Sequence, residues 1–274
     1  MSLSPRSNFI AVAELAAAKQ AAVPLILLDL RFDPGKGAQI TRYLDGHIPG
    51  ALFVDLPLQL ADTAVKGRGS NPLPDLAQLQ ESVRAWGIGP HSDIIVYDDT
   101  SGGPAGRAWW VLRWAGLTNV RILEGGLAAW KQARLPVEVG PSAPVVPGTA
   151  TLSAGHLPKI EADEVRDTAQ RGVLIDARPR TDFSGEGKAH IPGARSLPTS
   201  AVIDAAGTPL PAEQLRAVAA EQGIALDGPV AVYCGGGVAS TLLIAALDEI
   251  GVEAALYPGA WSEWISDKSR PVEA

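Results

Sequence analysis

The sequence predicts an α/β protein of two domains, each a mainly parallel sheet flanked by helices. Three observations carry that reading. Short apolar runs alternate with segments whose apolar residues recur at helical spacing, the pattern of strand–helix–strand units. Four landmarks occur twice in the same order. And 274 residues is long for one compact core.

Taken in order, residues 11–22 read as a first helix, and 24–31 as a strand that ends in Asp29-Leu30-Arg31. Gly46-His47-Ile48-Pro49-Gly50-Ala51 then leads into a short strand at 52–54. A stretch rich in Gly, Asn and Pro, 66–74, reads as a loop. Residues 76–86 read as a helix stopped by Gly87 and Gly89, and 93–97 as a buried strand. The glycine-rich loop 98–106 precedes a helix over 107–115, a strand over 119–123, and a short helix after Gly125-Gly126.

The pattern then restarts. Leu174-Ile175-Asp176-Ala177-Arg178 repeats the first strand end, with Asp176 lying 147 residues after Asp29. His190 follows His47 by 143 residues, Tyr233 follows Tyr97 by 136, and Trp264 follows Trp130 by 134. The separation falls by 13 residues across the copy, so the second domain has lost residues between its core elements, where loops tolerate deletion. The first domain is read as 1–140, the linker as 141–154, and the second domain as 155–274.

Composition excludes several classes. Net charge is −7 and no basic stripe occurs, which argues against nucleic acid as a partner. One cysteine rules out an intrachain disulfide and a cysteine-cluster metal site. The four histidines, at 47, 91, 156 and 190, have no metal-ligand spacing. No apolar run has the length of a membrane span. No basic segment followed by a long apolar core opens the chain, so no signal peptide is expected. A cytoplasmic protein with a reduced thiol is the expectation.

That single cysteine stands in Tyr233-Cys234-Gly235-Gly236-Gly237-Val238-Ala239-Ser240. The run 229–233 reads as a buried parallel strand and 241–250 as a helix, so Cys234 is placed at a strand's C-terminal end in a glycine loop that opens a helix. Glycines let such a loop turn successive N–H groups inward. Those amides and the helix N-terminus favour an anion at the sulfur and should make it a thiolate nucleophile. A small buried cysteine with no chemistry is the bland alternative. The repeat places Asp98 where the second copy has Cys234, and an aspartate cannot serve as a sulfur nucleophile.

Together these residues resemble the tandem-domain rhodanese-family sulfurtransferases, which include thiosulfate sulfurtransferase and 3-mercaptopyruvate sulfurtransferase. The resemblance covers essentially the whole chain: both Asp-x-Arg strand ends, both His-Ile-Pro-Gly-Ala segments, the glycine-flanked tryptophans and the cysteine loop. It implies two tandem rhodanese-like domains, the first lacking the cysteine. It implies a double displacement in which Cys234 takes sulfur from a small anionic donor as a persulfide, cradled by Gly235, Gly236, Gly237, Val238, Ala239 and Ser240. With no second cysteine, the acceptor must come from outside: cyanide, a small thiol or a thiol protein. No cofactor is implied, and a monomer or weak dimer suffices.

Departures bear on the donor. The loop lacks the basic residues of thiosulfate-preferring members, and has Gly236 where mercaptopyruvate members carry a serine, which moves any hydroxyl role to Ser240 or Thr241. The position of the family's anion-holding arginine is Asp182, which leaves Arg180 or Arg195 as substitutes. Arg31 and Arg178 are read as structural, with Glu124 as a partner for Arg31, although Arg178 also stands as a candidate for the donor's anion. His47 is read as a turn and packing residue, with a binding role as the alternative. The helical tryptophans are read as core. Gly102, Gly103 and Gly106 lack the lysine of a phosphate loop. A cysteine phosphatase would need an arginine six residues after the cysteine, where Ser240 stands. A sulfur carrier or redox sensor that does not turn over remains the second reading.

Overall fold

The computed structural model describes residues 7–204 and 207–274. It divides into two compact units, Met1–Asp62 with Pro74–His156, and Thr63–Leu73 with Leu157–Ala274. This differs from the sequence reading in two places. The loop read over 66–74 as part of the first domain falls, except for Pro74, in the second unit, which takes Thr63–Leu73. The supposed linker lies along the first unit, where Gly148, Ala150 and Ser153 donate backbone bonds to Arg84, Ile88 and Ala115. Proline, serine and glycine made 141–154 look like a spacer. Their backbone groups find partners on the surface instead.

The first unit contains β1 (Phe9–Ile10), β2 (Ile26–Leu30), β3 (Phe32–Asp33), β4 (Gly37–Ala38), β5 (Leu52–Phe53), β6 (Ile94–Asp98) and β7 (Val120–Leu123). Its main sheet has the order β1-β7-β6-β2-β5, and all its pairings are parallel. The second unit contains β8 (Val173–Asp176), β9 (Arg195–Ser196), β10 (Val230–Tyr233) and β11 (Ala254–Leu256). Its sheet has the order β11-β10-β8-β9, again parallel. The central strands β6 and β10 are buried along their whole length. Both faces of a parallel sheet are covered, so such strands need apolar residues on both. The helix Gly103–Trp114 begins four residues before the expected 107, with Pro104 in its first turn, where the missing N–H costs no helical bond.

The repeat extends into the side chains of each unit. Arg31 is paired with Asp29 at 2.6 Å, and Arg178 with Asp176 at 2.6 Å. The hydroxyl of Tyr97 accepts from Ile48 N, and that of Tyr233 from Ile191 N. His47 stacks on Tyr43 and His190 on Phe183. The indoles of Trp130 and Trp264 donate to the carbonyls of Pro136 and Pro271. Each landmark in the sequence is thus a buried polar group with a fixed partner. Arg31 is held by Asp29, Asp99 and the carbonyls of Arg42 and Gly46. Its carboxylate partners are these two aspartates, rather than the expected Glu124.

Candidate active site

Cys234 follows β10 and is 3% exposed. The chain then turns through five residues into the helix Ser240–Glu249. Gly237 takes φ +75 within this turn, a left-handed conformation that glycine adopts without a Cβ clash. The loop's first three carbonyls have fixed partners. Cys234 O accepts from Trp261 N at 2.9 Å, and Gly235 O from Ser262 N at 3.0 Å. Gly236 O accepts from the side-chain amide of Asn71 at 2.8 Å. In a planar trans peptide the next N–H points opposite to the carbonyl. Binding of the Cys234 and Gly235 carbonyls to Trp261 and Ser262 therefore turns the Gly235 and Gly236 amides away from that wall. Further along, Thr199 Oγ1 donates to Ala239 O, and Thr241 Oγ1 to Val238 O.

The side chain that reaches the sulfur is Ser240. Its Oγ donates to Cys234 Sγ at 3.4 Å, and the residue is 0% exposed. A hydroxyl therefore stands where a cysteine phosphatase would need a guanidinium. It can stabilise a sulfur anion, but it cannot clamp a tetrahedral oxyanion bidentately. Thr241, the other candidate for the hydroxyl role, spends its side chain on Val238 O.

The wall itself rests on an unusual turn. Ala260 is buried at φ +54, a conformation that costs an L-residue about 1–2 kcal/mol. The same turn in the first unit has Gly126 at φ +53. In the second unit the turn presents the N–H groups of Trp261 and Ser262 to the cysteine loop. The sequence reading used Gly259-Ala260-Trp261 as a landmark of the repeat and missed its contact with the site. The signal available was an alanine standing where the first copy has glycine.

Arg178 lies beside this loop but is committed to the fold. It is 7% exposed, holds Asp176 and the Ala189 carbonyl, and stacks 4.5 Å from the Trp261 ring centre. Burial would lower its pKa, but the bonds to Asp176 outweigh this and raise it, so it is a permanent cation. Burial first, and then the Asp176 carboxylate, push the Tyr233 phenol far up. It stays protonated beside the cysteine.

The other candidates fall elsewhere. Arg180 and Arg195 share a cleft of about 320 Å³ with His190, Ser184, Gln222 and Glu273, and Cys234 is not among its lining residues. Asp182 lies 3.6 Å from Lys188 as an ion pair. His47 is 0% exposed within the first unit. Its Nδ1 contacts Tyr43 O and its Nε2 contacts Ser142 Oγ, both at 3.0 Å. Both ring nitrogens thus have partners within the first unit.

In the first unit, the loop after β6 encloses its own anion. Asp98 is 2% exposed. Its carboxylate accepts from the backbone amides of Thr100, Gly102 and Ala105 and from the Thr100 hydroxyl. The glycine loop at 102–106, which superficially resembles a phosphate loop, is filled by this side chain.

The rhodanese-like domain family matches residues 11–133 and 161–267. The chain is 41% identical to a Mycobacterium tuberculosis protein named "Putative thiosulfate sulfurtransferase SseB", over 96% of this chain and 95% of that one. It is 35% identical to 3-mercaptopyruvate sulfurtransferase of Escherichia coli, over 85% of each chain. Among solved structures, SseA from Escherichia coli, described with the rhodanese fold, superposes with a TM-score of 0.82 at 29% identity, covering 93% of this chain and 99% of that one. A fold repeated down to its buried ion pairs, and a lone cysteine on only one copy, thus belong to a known lineage: the chain is a member of the rhodanese-like family, with two copies of its domain.

Proposed function

We propose that the chain is a sulfurtransferase that moves a sulfane sulfur from 3-mercaptopyruvate or thiosulfate to a thiol or cyanide acceptor, through a persulfide on Cys234. The observation that carries this is the hydroxyl of Ser240 on Cys234 Sγ, in a loop whose leading carbonyls are bound away into a wall. The names of the relatives support the same reading. The Cys234 thiolate attacks the donor's terminal sulfur, and an S–S bond forms. With thiosulfate the departing electron pair leaves on sulfite. With 3-mercaptopyruvate the C–S bond breaks, the pair leaves on the enolate of pyruvate, and the enolate takes a proton at carbon. The acceptor then attacks the outer sulfur and releases Cys234 as the thiolate.

Gly235 and Gly236 follow the cysteine where thiosulfate-preferring members are basic, which favours 3-mercaptopyruvate. Because the cleft lined by Arg180 and Arg195 does not include Cys234, their proposed role is to attract the anionic donor electrostatically rather than to hold it at the sulfur. Arg178 stays a structural cation. Among the described residues, no helix is long and apolar enough to cross a membrane, and Cys234 is a free thiol. We place the protein in the reducing cytoplasm, as a monomer or weak dimer, with a thiol protein among its possible acceptors.

Steady-state sulfur transfer from both donors to cyanide and to a dithiol tests this, with Cys234→Ser as the control. Turnover that Cys234→Ser abolishes is the expected result, with the higher kcat/KM for 3-mercaptopyruvate. A persulfide that forms on Cys234 without turnover would favour the carrier reading. Neither persulfide nor turnover would overturn both.

A further inference from the structure

Residues 68–71 come from the first half of the chain, yet each of the four has its own attachment in the second unit. Arg68 pairs with Glu161, and its Nε lies 3.4 Å from Glu263. Gly69, at φ +87, lies so close to Gly259 that a Cβ would run into its carbonyl oxygen. Ser70 N donates to Ser262 Oγ at 2.9 Å, and Ser262 in turn donates its own N–H to Gly235 O. Asn71, 8% exposed, donates its side-chain amide to Gly236 O. The short segment is therefore pinned at three points before it delivers one donor to the cysteine loop.

The peptide it grips has a particular weakness. The Gly236–Gly237 peptide lies between two glycines, so no Cβ opposes its rotation. The Gly235–Gly236 peptide before it is also flanked by glycines, but its carbonyl is held by Ser262 N and that of Cys234 by Trp261 N, whereas the Gly236 carbonyl is held by the Asn71 side chain. A flipped Gly236–Gly237 peptide would swing the Gly236 carbonyl, the negative end of its dipole, away from Asn71. It would then face the side of the loop where the anionic sulfur must be stabilised. Packing is close as well. A Cβ on Gly236 would sit 3.1 Å from Asn71 Nδ2 and 3.2 Å from Ser70 Cβ. The glycine at this position thus fits a loop that is closed from outside by Ser70 and Asn71.

We propose that Asn71 is a positioning residue for sulfur transfer, holding the Gly236–Gly237 peptide in the one orientation that favours a sulfur anion on Cys234. The inference rests on the sulfurtransferase reading for its consequence in turnover, but its structural content is independent of it.

Two readouts keep these apart: kcat and KM for sulfur transfer, and the rate at which iodoacetamide alkylates Cys234 at fixed pH. The variants are Asn71→Ala, Asn71→Gln, Gly236→Ala and the double variant Asn71→Ala/Gly236→Ala, in the full chain. Loss of one hydrogen bond that orients a charge-stabilising peptide corresponds to about a tenfold effect. Asn71→Ala is expected to lower both kcat and the alkylation rate by about that factor, with KM within about twofold and the melting temperature unchanged. Asn71→Gln, which keeps a donor, should recover part of both. Gly236→Ala, whose Cβ crowds the same amide, should reproduce the loss, and the double variant should fall no further than either single one. If Asn71→Ala fails to fold, Gly236→Ala against Asn71→Gln carries the same test. Alkylation and kcat within about twofold of the parent in every folded variant would overturn the proposal, as would losses that multiply in the double variant. A parent protein without turnover would sink the sulfurtransferase reading, while the alkylation series would still decide the role of Asn71.

Discussion

The loops after β6 and β10 occupy the same place in two copies of one domain and handle negative charge in opposite ways. The first holds a built-in carboxylate. Asp98 reaches forward and takes the amides of Thr100, Gly102 and Ala105 for itself. The second carries a cysteine, whose shorter side chain cannot reach so far, and the helix after it begins one residue later, at Ser240 rather than at the counterpart of Gly103. The carbonyls of this longer loop are bound by neighbouring chain, and a hydroxyl rests on the sulfur. One loop is satisfied internally; the other is built from outside and left able to accept an anion that arrives. The same backbone device gives a structural plug in one copy and a reactive sulfur in the other.

The comparison breaks most sharply at its reactive atoms. Cys234→Ser should lower sulfur transfer by about a thousandfold or more, read as steady-state turnover, with the fold unchanged by circular dichroism. Converting the first loop should not rescue it. Asp98→Cys placed in the Cys234→Ser protein is expected to show no turnover with either donor, because that loop lacks the hydroxyl and the extra residue.

Next come the ion pairs that the two copies share. Arg31→Met and Arg178→Met each strand a buried aspartate and should each cost about 3–5 kcal/mol of stability, measured by urea unfolding. Equal costs would support Arg178 as a structural cation. A small stability cost with a large rise in donor KM would instead assign it to the donor.

Asp98→Ala leaves three amides, that of Ala105 buried and those of Thr100 and Gly102 partly so, without their acceptor and should cost about 1–3 kcal/mol. Ser240→Ala should spare stability and lower kcat/KM by roughly tenfold, since it removes the hydroxyl from Cys234 Sγ alone. The two substitutions are mirror images: one weakens the fold, the other the chemistry.

The smallest effect is a pH dependence. Burial raises the Asp98 pKa, against the pull of its amide bonds. The folded chain then keeps this proton at pH values where the unfolded chain has released it. Asp98 therefore makes stability fall as pH rises from about 4 through its raised titration range. Asp98→Asn should remove that contribution and flatten the melting temperature against pH.

Much of this was legible in the sequence because the repeat compared the chain with itself. The apolar run over 229–233 placed Cys234 at a strand end, and aligning Tyr97 with Tyr233 put Asp98 in its place in the first copy. Local pattern also located the helix after the cysteine. What stayed hidden was where backbone groups find partners across long sequence distances. Asn71 and Gly236 are 165 residues apart, and nothing in the composition of 66–74 distinguishes a surface loop from a segment fastened to another unit. Arg31 shows the opposite miss: its partners include Asp29, two residues away on the same strand end. The expected partner was the more distant Glu124. Ser240 was named for its backbone amide and as a possible source of the hydroxyl, but its side-chain contact with sulfur depends on how the loop closes.

A second loop that stabilises a sulfur anion on Cys234 should retain one sulfur from a donor, which a single-turnover mass measurement reads. Purified protein is mixed with 3-mercaptopyruvate or thiosulfate, separated from the donor, and its intact mass and Cys234 peptide are measured before and after adding cyanide. The expected result is a gain of one sulfur atom, confined to the Cys234 peptide and lost on adding cyanide. A protein that stays at its original mass with both donors, while its thiol remains open to alkylation, would contradict it.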